Sequence, residues 1–137
     1  MAGGQSGAMR QALGAALLMT MLLTGCGTLG WGKPKERALD TYTPEELYQL
    51  GEYQLETAKK PEQALLYFQE VERIYPYTEW AKRGLIMQAF TLHKNKEYEQ
   101  ARDAAQRFLD FYPGDEDAAY AQYLMALSYY DEIDEVG

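Results

Sequence analysis

The 137-residue sequence holds one cysteine and one histidine. A single cysteine excludes an intramolecular disulfide, and one histidine beside it cannot build a Cys/His metal cluster or a nucleophile–base dyad. No Gly-rich phosphate loop, G-x-S-x-G elbow or H-E-x-x-H pair is present. Positive charge is scarce as well: 13 Lys/Arg face 21 Asp/Glu, a net charge of −8. No Lys/Arg stripe appears, and the last 23 residues carry seven acids with no base. That balance argues against nucleic acid as a partner, because such binding needs a basic surface that displaces counterions. Direct binding to anionic lipid head groups is disfavoured for the same reason. The sequence therefore reads as a binding protein and not an enzyme, with no cofactor and no metal. Acid pairs such as Glu45/Glu46 read as helix-cap and solvated-face charges, and His93 as a surface or groove residue.

The first 25 residues differ from the rest, with one Arg, no acid, and much Ala, Leu and Met. The apolar run Ala12 to Leu23 is too short to span a bilayer, which needs roughly 20 residues, and reads as a secretory signal. It ends in Leu23-Thr24-Gly25-Cys26, which resembles a bacterial lipobox. Residues 1–25 are then a lipoprotein signal peptide, and Cys26 carries the covalent lipid as the new N-terminus. Each buried methylene of such a lipid contributes about 0.8 kcal/mol. Gly27, not Asp, follows the cysteine, which points to the periplasmic face of the outer membrane. After Cys26 remain 12 basic and 21 acidic residues, a net charge of −9. Residues 26–42 hold Gly27, Gly30, Gly32 and Pro34 without helical or strand period and read as a flexible tether.

Residues 43–137 are organised by a stretch that occurs twice, 37 positions apart. Ala64 matches Ala101, Val71 matches Phe108, and Tyr75-Pro76 matches Tyr112-Pro113; Ala89 matches Ala126 in the same register. A fixed period of this size marks a solenoid of helix pairs. Thr43, Pro44 and Glu46 form a capping box with Pro at the first helical position. Gly51 sits where two helices would approach closely. Pro61 opens the next helix, with Ala64, Phe68, Val71 and Tyr75 on one face. Thr78 caps a third helix carrying Leu85, Ala89 and Leu92. Lys94-Asn95-Lys96 makes a turn, and Tyr98, Ala101, Ala105 and Phe108 face inward from a fourth. A fifth helix is expected from near Asp115, its pattern continued by Ala118, Ala119, Tyr123, Ala126 and Tyr129/Tyr130, with periodicity lost at Asp131. The predicted fold is an all-α tetratricopeptide-repeat solenoid: two antiparallel helix pairs plus the first helix of a third. The expected departures are an absent first-position Trp, Ala105 where Phe is usual, and the long period. The unpaired fifth helix leads to the expectation of a longer protein or a partner over its end.

In tetratricopeptide arrays the first helix of each pair lines an inner groove. Registering on Gly51, Ala89 and Ala126 assigns Glu45, Tyr48 and Glu52, then Arg83, Ile86, Phe90 and His93, then Tyr120, Tyr123, Leu127 and Tyr130 to it. The residues singled out for peptide binding are Tyr48, Glu52, Arg83, Phe90, Tyr120, Tyr123 and Tyr130. Aromatic anchors add contact area at low entropy cost.

The lipobox, the tether, Tyr75-Pro76-Tyr77-Thr78 with Trp80-Ala81, Phe108-Leu109 with Tyr112-Pro113-Gly114, and Tyr129-Tyr130-Asp131 with Val136-Gly137 together resemble the BamD family of outer membrane protein assembly factors. That resemblance implies a lipoprotein that helps fold β-barrel proteins into the outer membrane. The implied partners are a BamA-type barrel component, accessory lipoproteins and unfolded outer membrane β-barrel proteins. The first repeats would receive an extended substrate segment ending in an aromatic. The chain stops within the third repeat, short of the repeats that in the family hold the main BamA contact. The alternative is a periplasmic repeat scaffold of the Tol-Pal constriction system. Such proteins normally carry a coiled coil and a plain signal peptide, and neither is seen in this sequence.

Overall fold

A computed structural model of the chain describes residues 37–137. The expected signal peptide, Cys26 and tether residues 27–36 lie outside the described residues. Within them run a 3-10 turn, Leu39–Thr41, and five α-helices: α1 Pro44–Glu56, α2 Pro61–Ile74, α3 Glu79–Lys94, α4 Tyr98–Phe111 and α5 Ala118–Val136. Each helix packs against the next, and α3 also touches both α1 and α5. This is the tetratricopeptide-like arrangement: α1/α2 and α3/α4 are antiparallel pairs, and α5 stacks on the second pair.

Local chemistry sets the helix starts. Thr43 Oγ1 accepts from the Glu46 amide at 3.2 Å, and Glu46 Oε2 accepts from the Thr43 amide at 2.8 Å. Removing such a cap typically costs ~1 kcal/mol. Pro44 and Pro61 each open a helix, where the missing N–H has no partner to lose. Thr78 Oγ1 accepts from the Ala81 amide at 3.1 Å and donates to the Tyr75 carbonyl at 2.8 Å. The turns after α1, α2 and α3 each place one non-glycine residue at positive φ: Lys59 at 56°, Tyr77 at 66° and Lys96 at 64°.

The buried core follows the repeat. Leu47, Ala64, Phe68 and Val71 fill the first pair, and Leu85, Ala89, Ala101, Ala105 and Phe108 the second. In the 37-residue register, Phe68 corresponds to Ala105 and Val71 to Phe108. The large ring has changed place within the layer, and all four residues are fully buried. This accounts for Ala at 105 where the repeat usually has Phe: Phe108 supplies the volume from one turn along. It also accounts for Gly51. A Cβ there would stand 2.5 Å from Phe68 Cε1, whereas its counterpart Ala89 shares a buried cluster with the small Ala105.

Gln88, 1% exposed, joins three helices. Its Nε2 donates to the Phe68 carbonyl at 3.2 Å and to Glu72 at 2.7 Å, and its Oε1 accepts from Arg107 at 3.1 Å. A buried amide with its groups satisfied fixes α2, α3 and α4 in register.

Three expectations need correcting. Residues 37–42 were expected to belong to the tether, yet they fold onto the first pair. Arg37 donates to the Thr41 carbonyl at 2.5 Å, lies 4.1 Å from the centroid of the Tyr42 ring, and pairs with Glu46 at 3.4 Å. The Tyr75 hydroxyl donates to the Tyr42 carbonyl. The fifth helix begins at Ala118, not near Asp115. Asp115 instead accepts from the Asp117 amide at 3.0 Å and from Lys82 Nζ at 2.6 Å, tying the turn to the start of α3. The helix also continues through Asp131 to Val136 although its apolar period ends. Ion pairs replace apolar packing there: His93–Asp131 at 2.7 Å, Arg102–Glu132 at 2.7 Å and Lys96–Glu135 at 2.5 Å.

The buried stripe of α5 is Ala121, Leu124 and Ser128, while Ala119, Tyr123 and Ala126 are exposed. Ala89 packs against α4, the second helix of its own pair, whereas Ala126 in the same register is exposed. α5 is seated by the neighbouring stripe, which packs on α4 and α3.

Candidate inner-face binding site

Because α3 touches both α1 and α5, the first helices of successive pairs stand side by side and form one face. Two clusters lie on it.

The first bridges α1 and α3. The Tyr48 ring packs 5.6 Å from Phe68 and 5.3 Å from Trp80, both tilted. The Arg83 guanidinium lies 5.1 Å from the centroid of the Trp80 ring and pairs with Glu79 at 3.5 Å. Burial, then the neighbouring Glu52 carboxylate, pushes the Tyr48 hydroxyl up to about 12. Tyr48 is therefore a neutral phenol, wedged half into the core and half into the groove. Trp80 belongs to this cluster, although the groove register had passed over it. Its signal was its place one turn before Arg83 on the helix.

The second cluster is a recess of about 460 Å3 between α3 and α5, lined by Phe90, His93, Lys94, Lys96, Tyr98, Tyr120, Tyr123, Leu124 and Leu127. Tyr120 and Tyr123 lie nearly parallel, 25° apart with centroids at 6.1 Å. Burial, then Tyr123, raises the Tyr120 hydroxyl above its ordinary range. His93 Nε2 meets Asp131 Oδ2 at 2.7 Å, and its ring leans on Tyr98 at 5.6 Å. Lys94 Nζ lies 5.5 Å from the centroid of the Phe90 ring. The recess has the size of a small ligand cleft.

The structure thus groups Tyr48, Glu52 and Arg83 in one cluster and Phe90, Tyr120 and Tyr123 in the other. Tyr130 belongs to neither; it is 68% exposed on α5. Ile86 is buried in the core, and Glu45 stays at the start of α1, accepting from Gln49 at 3.1 Å. His93 and Leu127 line the second recess.

A larger recess, about 540 Å3, lies on another face, where α2 and α4 meet beneath α3. Tyr77 and Phe111, 89% and 61% exposed, stand at it. Its polar residues pair among themselves, Arg73 with Glu70 and Arg107 with Glu72. The groove register could not find it, because only second helices and turns build it, apart from the underside of α3.

Among the described residues no group of three His, Cys, Asp or Glu could hold a metal ion. No described helix is long and apolar enough to cross a membrane.

Comparison with known proteins gives the family of the chain. Residues 40–137 match the model of the YfiO family, described as outer membrane lipoprotein. The "Outer membrane protein assembly factor BamD" of Caulobacter vibrioides is 36% identical over 124 residues, covering 89% of this chain and 39% of that protein. The protein of the same name from Rickettsia prowazekii is 34% identical over 125 residues, covering 90% of this chain and 47% of its own length. The chain thus spans less than half the length of either relative. No solved structure gives a significant match. The described domain falls almost wholly within the family match, and the chain belongs to the YfiO family of outer membrane lipoproteins.

Proposed function

We propose that this chain is a lipid-anchored component of the outer membrane β-barrel assembly machinery, and that its inner face holds extended segments of unfolded barrel proteins. One observation carries the second half. The two aromatic clusters lie on adjoining parts of the face made by α1, α3 and α5, and Tyr123 at the second is 57% exposed. Exposed aromatics beside a concave surface are the usual anchors of peptide recognition. The names of the two relatives support the first half. Cys26 carries the anchor, at the periplasmic face. The partners are a BamA-type barrel component and accessory lipoproteins. The work is binding and positioning, with no covalent chemistry.

Site-specific photocrosslinking tests the reading. A crosslinking residue at Tyr123, on the inner face, is expected to capture newly made barrel proteins. The same residue at exposed Glu62, at the start of α2, is expected to capture few. Equal capture from both positions, or none from Tyr123, would overturn the reading.

A further inference from the structure

The recess of about 540 Å3 where α2 and α4 meet beneath α3 shares no lining residue with the one between α3 and α5. Its two walls repeat one pattern. Arg73 stands four residues before Tyr77 on one, and Arg107 four residues before Phe111 on the other. The buried Ala81, Leu85 and Gln88 of α3 line the floor. Tyr77 is the most exposed large hydrophobic among the described residues, at 89%, and its backbone holds a φ of 66°. A bulky side chain is costly in this left-handed region, which glycine or asparagine occupies readily. The turn requires that conformation, but the fold does not require the ring, which packs on little of its own chain. What the ring contributes therefore lies outside the chain. Phe111, 61% exposed at the end of α4, stands opposite with its ring equally free of the core.

The charges of the recess are layered. Glu70 and Glu72 lie beneath, with side chains 15% and 27% exposed, and their partners Arg73 and Arg107 lie above, at 66% and 47%. The four charges sum to zero, yet the cations form the outer layer. A guanidinium carries five N–H donors. Arg73 spends Nε and Nη2 on Glu70, and Arg107 spends Nη1 on Glu72 and Nη2 on Gln88. Arg73 Nη1 and Arg107 Nε make no hydrogen bond among the described residues, and they remain for a carboxylate from outside.

We infer that this recess is a second docking surface, which takes a segment of a partner protein in which acidic residues flank an apolar one. The carboxylates pair with Arg73 and Arg107, and the apolar side chain packs between Tyr77 and Phe111 over Leu85. Arginine and aromatic side chains carry most of the binding energy at protein interfaces. Charge complementarity selects the occupant. A basic segment would meet the outer arginines, and a flat lipid surface would not reach the sunken floor. Because the recess is separate from the inner face, a partner held here leaves that face free.

The test uses the full-length chain and three labelled peptides of one Gly/Ser background, carrying Asp-Leu-Glu, Asn-Leu-Gln or Lys-Leu-Lys, with binding read by fluorescence anisotropy. The acidic peptide is expected to bind about tenfold more tightly than the neutral one, the size of one hydrogen bond to a charged group, and the basic peptide most weakly. Arg73→Gln should erase that preference. Tyr77→Asn should weaken binding of the acidic peptide and raise the Tm, because asparagine suits the left-handed backbone; a ring that served the fold would lower it. Equal binding of the three peptides, binding of none, or a preference that survives Arg73→Gln would overturn the inference. So would a lower Tm for Tyr77→Asn with binding unchanged, or binding to phosphatidylglycerol vesicles in place of the peptides. Capture of barrel proteins at Tyr123 tests the inner face by itself and stands or falls apart from these results.

Discussion

Gly51→Ala sets two known effects against each other at one atom. An alanine in the middle of α1 gains about 1 kcal/mol of helix propensity over glycine. The added Cβ would stand 2.5 Å from Phe68 Cε1 and 2.8 Å from Cδ1 and Cζ. Carbon atoms rest at about 3.5–4.0 Å, so the overlap is roughly 1 Å. The ring has no easy retreat. It is fully buried, it packs against Tyr48, and its own carbonyl is held by Gln88. Relief requires α1 and α2 to part, and overpacking of this kind typically costs 1–3 kcal/mol. An overlap this large on a fully buried ring belongs to the upper half of that range, about 2–3 kcal/mol, so packing wins and the net loss is expected near 1–2 kcal/mol, or roughly 4–16 °C in Tm for a domain of this size. Thermal melts followed by far-UV circular dichroism read it directly. Gly114→Ala is the control: nothing lies within 4 Å of its Cβ, and its Tm should hold. Adding Phe68→Leu to Gly51→Ala should cost less than the two single changes summed. A Gly51→Ala protein that melts at or above the wild type would show that Phe68 does not fill the space over residue 51.

Other outcomes follow from single groups. Thr91 Oγ1 is buried without a hydrogen-bond partner, so Thr91→Val should raise stability by about 1 kcal/mol in urea unfolding. The Tyr48 phenol should titrate near 12, against an ordinary 10, and Glu52→Gln should bring it down in an ultraviolet pH titration. Because that folded-state value is raised, the stability it contributes is present below about 10 and lost as pH climbs towards 12. Lys82 holds the Asp115 carboxyl below its ordinary range. The stability difference between wild type and Asp115→Asn should therefore be present at neutral pH and fade as pH falls below about 4. Cys26→Ser should release the protein from membranes on fractionation; retention would show that protein contacts hold it there.

The first three helices were legible because each begins on a local signal that acts without the rest of the fold. Thr43, Pro44, Pro61 and Thr78 cap or open their helices from within a single turn, and the period of 37 shows how the pairs repeat. The place of Gly51 was readable too, since only a close approach explains a glycine on an otherwise apolar face. The end of α5 was not legible. Its order comes from Asp131, Glu132 and Glu135 meeting cations on α3, α4 and the turn between them, and no window of sequence contains both partners. The groove residues divide in the same way. The structure puts Tyr48, Phe90, Tyr120 and Tyr123 on the inner face, as spacing alone placed them. The groove register misplaced Ile86 as a groove residue and left out Trp80, because a helix's exact roll on its neighbours depends on which side chains fill the space beneath it. Tyr77 and Phe111 were not read as a surface, because Tyr77 sits in a turn without a period and Phe111 is the last residue of α4, off its inward face.

The three ion pairs at the end of α5 also determine how the array responds to its surroundings. Partly exposed pairs contribute only about 0.2–1 kcal/mol each and weaken as salt shortens the Debye length from ~10 Å toward ~3 Å. The first two pairs of helices rest on apolar burial, which salt does not erode in this way. Raising ionic strength should therefore loosen the array from one end only. The wall of the recess that carries Tyr120 and Tyr123 belongs to that end. Hydrogen exchange along the chain in dilute and concentrated salt would appear as a gradient, steep over α5 and flat over α1 to α3.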